Sequence, residues 1–266
     1  VLQAGIGSAA PRNTLPLGRQ AALRALELDP LLAEAHAVAG HICAELVYDW
    51  AASEQHYLRA IATNPAAAVR FSYAYWCLRP TGRIGEALSE IERARELDPL
   101  ALSYGVSRAY LLSFAGNYEE AARAARATFD MDPNFPTAQF IYSYVQACQG
   151  RFQEGVDVME RALQMHGHSP LSLAFAGAIF GLTGRQDLAR GVQVELEAMA
   201  AKTSSAAGPL VIANCALGNL DEAFEWADRA IDQRDPQVIG LKTTPLFENL
   251  RSDPRYPALL RRMNLA

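Results

Sequence analysis

The stretch GNYEEA, Gly116–Ala121, decides the fold because close variants of it recur on both sides. GRIGEA begins at Gly82, GRFQEG at Gly150, GRQDLA at Gly184 and GNLDEA at Gly218, so each leading glycine follows the last by 34 residues. A constant period of that length is the signature of a repeat array, in which one supersecondary unit is copied and stacked. Within the motif the glycine suits a left-handed backbone at a helix end. The acidic residues after it (Glu119, Glu120, Glu154, Asp187, Asp221, Glu222) suit the positive end of the next helix.

A second set of marks falls between the glycines. Pro30, Pro65, Pro99 and Pro133 follow Asp or Asn and close each unit, since proline cannot continue a helix interior. Small residues sit five positions after the turn glycines, at Ala87, Ala121, Gly155, Ala189 and Ala223, where two helices must approach closely. The residue two after the glycine (Ile84, Tyr118, Phe152, Gln186, Leu220) is usually apolar and suited to wedging between neighbours. One such helical pair cannot bury both of its faces, so adjacent pairs must stack. The pattern predicts an all-α helical-hairpin solenoid.

The chain has 266 residues, 50% hydrophobic and 20% charged, with a formal net charge of -5. An acidic net charge argues against direct nucleic-acid binding, and the one local basic cluster, Arg251, Arg255, Arg261 and Arg262, reads as a solvated cap surface. No apolar run reaches the roughly 20 residues of a membrane-spanning helix, and the four cysteines lack CxxC spacing, which fits a reducing, cytoplasmic setting. The first residue is not Met, which suggests an excised module or a processed chain.

The 34-residue helix-turn-helix, with its Gly-x-apolar-x-Glu-Ala turn and closing Asp-Pro, resembles the tetratricopeptide repeat (TPR) over roughly residues 18–236. The resemblance implies a right-handed α-solenoid of about six repeats plus a C-terminal capping helix. The expected organisation is a linker over 1–16, the TPR array over 17–237 and a cap over 238–266. The motif departs from the pattern at 47–50, where VYDW replaces the turn glycine, and at Gly105, Gln139 and Leu173, which stand where a bulky aromatic is usual. The ordered strings LDPLLAEAHA, YDW, ELDPLALS, MDPNF, DEAFEWADRAI and PLFENLRSDPRYPALLRRMNL are also similar to C-terminal TPR regions of bacterial multidomain regulators. In those regulators a winged-helix, serine/threonine kinase or nucleotide-cyclase domain precedes the array, often beside a TolB-like segment. That likeness implies an upstream effector domain, covalently attached.

The TPR resemblance further implies that one face of each first helix lines a concave groove for peptides. The column six residues before each turn glycine is Trp76, Tyr110, Tyr144, Ala178 and Ile212. Helical spacing extends it to a candidate partner-binding set of Ser72, Trp76, Arg79, Val106, Tyr110, Phe114, Phe140 and Tyr144. Aromatics with a polar tip suit an interface, and packing between neighbouring helices would use the same residues. No nucleophile elbow, phosphate loop or spaced metal-ligand set is present, so no catalytic residue, metal or cofactor is assigned. GIGS at Gly5–Ser8 lacks a preceding strand and reads as linker, and HGHS at His166–Ser169 reads as exposed polar loop. The expected function is a non-enzymatic scaffold for a protein or peptide segment. The alternative is a sensory module of a larger signalling or transcription regulator.

Overall fold

A computed structural model describes residues 11–202 and 206–266. GIGS and the first ten residues of the expected linker lie outside the described residues. The described chain is helical, with no strand among those residues. Helix α1 (Pro11–Leu28) precedes a series of hairpins. These are α2 (Ala33–Ile42) with α3 (Trp50–Thr63), α4 (Ala67–Tyr73) with α5 (Ile84–Leu97), and α6 (Leu102–Phe114) with α7 (Tyr118–Met131). They continue as α8 (Pro136–Cys148) with α9 (Phe152–His166), α10 (Pro170–Leu182) with α11 (Gln186–Ala200), and α12 (Ala207–Leu217) with α13 (Leu220–Gln233). Two short helices, α14 (Glu248–Arg251) and α15 (Tyr256–Arg262), follow in the tail. Helix α1 starts at Pro11, so the boundary expected at residue 16 falls inside it; the fully buried Leu15 packs with Ile42.

The hairpins are punctuated by the marks that the sequence carries. Gly82, Gly116, Gly150, Gly184 and Gly218 all take positive φ, between 73° and 90°. The Asp of the closing Asp-Pro folds back on the chain: Asp29 Oδ1 accepts from the backbone N–H of Leu31 at 3.0 Å, and Asp132 Oδ1 from that of Asn134 at 2.9 Å. Ala87, Ala121, Ala189 and Ala223 are wholly buried. At Gly155 the helices come closer still, since a Cβ there would lie 3.0 Å from the Ser143 carbonyl oxygen.

The chain forms two compact units. The first holds the described residues up to 100 together with 231–243 and 257–266; the second holds 101–230 with 244–256. In the first unit, α2 packs on α1, α3 and α4. Both α2 and α4 end in a π-helical turn, Cys43–Val47 and Ala74–Leu78, and these two turns also touch. Where VYDW replaces the glycine, Tyr48 itself takes φ 58°. The tail holds it there. The Arg234 guanidinium lies 4.3 Å from the centre of the Tyr48 ring, and Asn264 Nδ2 donates to the Tyr48 carbonyl at 3.1 Å. Beside it, Trp50 Nε1 donates to the Met263 carbonyl at 2.8 Å.

In the second unit the first helices stack in order, α6 on α8, α8 on α10 and α10 on α12. The tail segment 244–256 is anchored on α12 by buried Phe247 and Leu250. Arg255 bonds Asp221 at 2.8 Å and covers the Phe224 ring at 4.1 Å, which fixes the far end of that segment.

Candidate functional site

The second unit carries a groove of about 500 Å³. Its floor comes from equivalent positions of successive first helices: Tyr144 on α8, Ala178 on α10 and Ile212 on α12. One turn further on, Cys148, Leu182 and Ala216 repeat the pattern. Small residues (Ala147, Ala178, Gly181, Ala216) keep the floor low, so backbone lies near the surface. Tyr118 opens α7 and Phe152 opens α9, and both stand at the mouth, 37% and 48% exposed, with Leu182 at 50%. The opposite wall is the tail, through Pro245, Leu246, Glu248 and Asn249. Asn249 Nδ2 donates to the Cys215 carbonyl at 2.8 Å and holds that wall to α12.

Charge is scarce in this groove. Glu248 is the one charged side chain among its described lining residues, and it pairs with Arg251 one turn on. Burial pushes the Cys148 thiol up, and the same cause pushes Cys215 up to about 12, so both are neutral thiols at physiological pH. The surface thus offers aromatic and aliphatic contact with few polar groups, the composition of a ligand groove.

Of the eight residues the sequence singles out, Tyr144 alone lines this groove. Tyr110 and Phe140 pack inward: their ring centroids lie 5.9 Å and 5.8 Å from that of Phe175, and they are 8% and 3% exposed. Val106 is buried as well, and Phe114 stays half-buried against Tyr110 at 4.5 Å. Ser72, Trp76 and Arg79 belong to the first unit. There Trp76 stacks on His41 at 4.2 Å, while Ser72 is half-buried and Arg79 buried. Sequence reasoning missed Tyr118 and Phe152, which it read as wedges. They stand at the first position of a second helix and line the groove.

A larger cleft of about 780 Å³ lies along α7, α8 and α9. Its arginines, Arg123, Arg126 and Arg151, alternate with Glu119, Asp130 and Glu154. Arg126 bonds Asp130 at 3.0 Å, and Tyr142 donates to Glu154 at 2.5 Å, so much of its polarity is spent internally. Among the described residues no cluster of three or more His, Cys, Asp or Glu could hold a metal ion. His168 of the HGHS loop pairs instead with Glu195 at 2.8 Å. No described helix is long and apolar enough to cross a membrane.

The helical hairpins of each unit are similar to those of tetratricopeptide repeats. Residues 106–170, which span most of α6 and all of α7, α8 and α9, match the family model described as tetratricopeptide repeat. Over 100 residues the chain is 26% identical to a TPR repeat-containing protein of Methanocaldococcus jannaschii. That stretch is 38% of this chain, and it spans 30% of the relative's length. Among solved structures the chain is similar to pilF of Pseudomonas aeruginosa, with TM-score 0.55 and 17% identity over 72% of this chain and 87% of that one. PilW, a type IV pilus biogenesis factor, gives 0.57 and 16% over 70% and 87%. The APC/C hetero-tetramer Cut9–Hcn1 gives 0.58 and 14% over 94% and 51%. At these identities the likeness is one of fold.

Proposed function

We propose that this protein is a non-enzymatic scaffold that holds an extended, apolar segment of a partner protein in the groove of the second unit. One observation carries the reading: Tyr118, Phe152 and Leu182 stand exposed around a floor of small residues. Large apolar side chains left at a concave mouth mark interaction sites. A fold neighbour, Cut9, was solved in a hetero-tetramer with Hcn1, which accords with such a role. Under this reading the partner is protein rather than nucleic acid, the setting is cytoplasmic, and no cofactor takes part.

A second reading makes the chain the sensory part of a larger bacterial regulator. It is favoured by the tail string PLFENLRSDPRYPALLRRMNL, since Pro245–Asn249 within it build the groove wall. In that case the segment received belongs to an effector domain on the same polypeptide.

The test is a binding titration with the partner recovered from the source cell. Phe152→Ala combined with Leu182→Glu should weaken binding tenfold or more at unchanged melting temperature, since both side chains are about half exposed. Wild-type affinity in that double variant would sink the groove reading.

A further inference from the structure

In the first unit, Arg79 lies outside the lining of the groove. Arg79 follows the π-helical turn Ala74–Leu78 and is only 4% exposed. Its Nε donates to the Tyr75 carbonyl at 3.1 Å, and its guanidinium carbon lies 4.1 Å from the centre of the Tyr75 ring. Those contacts and the carbonyl end of the helix offset part of the charge. The four N–H groups on the two Nη atoms have no acceptor among the described residues.

Other arginines of this unit are satisfied differently. Arg70 bonds Glu90 at 2.7 Å, and Arg83 bonds Glu54 at 2.6 Å and Glu86 at 2.7 Å. Arg79 is more buried than either, yet no carboxylate among the described residues lies within 4.0 Å of it. Neither Arg79 Nη is among the fully buried polar atoms that lack a partner, so both keep contact with solvent, where an anion can reach them.

The surroundings are packed rings. Trp76 stacks on His41 with ring planes 21° apart, and His41 Nε2 bonds the buried Glu45 carboxylate at 2.6 Å. Tyr75 meets Trp76 edge-on at 5.1 Å and Phe71 face-on at 5.8 Å. The Tyr75 ring lies against the guanidinium, and the planar fork beside it suits a two-point contact.

We propose that Arg79, framed by Trp76 and Tyr75, binds an oxyanion carried by a partner segment: an Asp or Glu carboxylate, or a phosphoryl group. This site is separate from the apolar groove, with different residues and opposite ligand chemistry, and it does not depend on the groove reading.

The test titrates the full chain by calorimetry with inorganic phosphate and, separately, with acetate. Saturable binding of acetate as well as phosphate assigns a carboxylate ligand; binding of phosphate alone assigns a phosphoryl ligand. Arg79→Met should weaken either at least tenfold, and Arg79→Lys, which keeps charge without the fork, should fall between. Arg93→Met, which removes an exposed arginine of the same unit, should bind like wild type. So should Leu182→Glu, which separates this site from the groove. If wild type binds neither anion saturably, the proposal falls, whatever the folding of the variants. It falls equally if folded Arg79→Met binds as tightly as wild type.

Discussion

Asn249 reaches from the tail to the carbonyl of Cys215 on α12, and this 2.8 Å bond fixes one wall of the groove to its floor. A neutral hydrogen bond of this kind contributes about 0.5–1.5 kcal/mol net. Asn249→Asp cannot donate and should lose it as fully as Asn249→Ala. Both variants should weaken partner binding in the groove while circular dichroism shows unchanged helix content. A variant pair that binds like wild type would mean the wall stands without this bond.

The thiols report on the same groove. Burial raises Cys77 to about 11 and Cys215 to about 12, and it also raises Cys43 and Cys148, which are only half-buried. A raised pKa leaves little thiolate at neutral pH, and the thiolate is the reacting form. Maleimide labelling read by mass spectrometry should therefore modify Cys43 and Cys148 slowly, and Cys77 and Cys215 only after denaturation. A segment bound in the groove should slow Cys148 and leave Cys43 unaffected.

Tyr48 sets two effects against each other. A side chain at its φ of 58° costs about 1–2 kcal/mol. Its ring, 2% exposed under Arg234, gains more than that from burial, about 1.5–3 kcal/mol for a large apolar side chain plus the cation contact. Tyr48→Gly relieves the first and forfeits the second. Thermal or urea unfolding should show a net loss of about 1–2 kcal/mol. A net gain would mean the ring contributes little.

Gly105 is small because Thr128 fills the space beside it. A Cβ at Gly105 would collide with Thr128 Oγ1, the hydroxyl that donates to the Ala124 carbonyl at 3.0 Å. Gly105→Ala should destabilise by about 1–3 kcal/mol, the usual range for overpacking. Thr128→Ala should restore much of that in the double variant, a coupling that urea titration of all four proteins would measure.

The hairpins and their turns were legible because each mark has a local cause. Gly116 needs positive φ, Asp132 closes its own turn, and Ala121 must be small, all within one period. The groove floor was half legible: the column naming Tyr144, Ala178 and Ile212 follows from helical spacing alone. Its occupants inward and outward were not. Tyr110 is covered because Phe175, from a hairpin further along, comes to meet it, and nothing near Tyr110 announces that. Tyr118 and Phe152 read as wedges between neighbours, and only their exposure beside the groove places them at its mouth. The wall at Pro245–Asn249 and the clasp on Tyr48 come from residues distant in sequence, where a repeat pattern carries no information.

The bond from Trp50 to the Met263 carbonyl joins residues 213 apart. An array held by neighbour contacts alone can fold progressively as it leaves the ribosome. Here the turn at Tyr48 is completed by Arg234 and Asn264, so its hairpin gains its last contacts only after some two hundred further residues have been made. Long-range closure of this kind slows folding, because loop entropy is lost before the contact repays it. The hairpin at Tyr48 therefore waits for residues 234 and 264 before its turn has all its contacts.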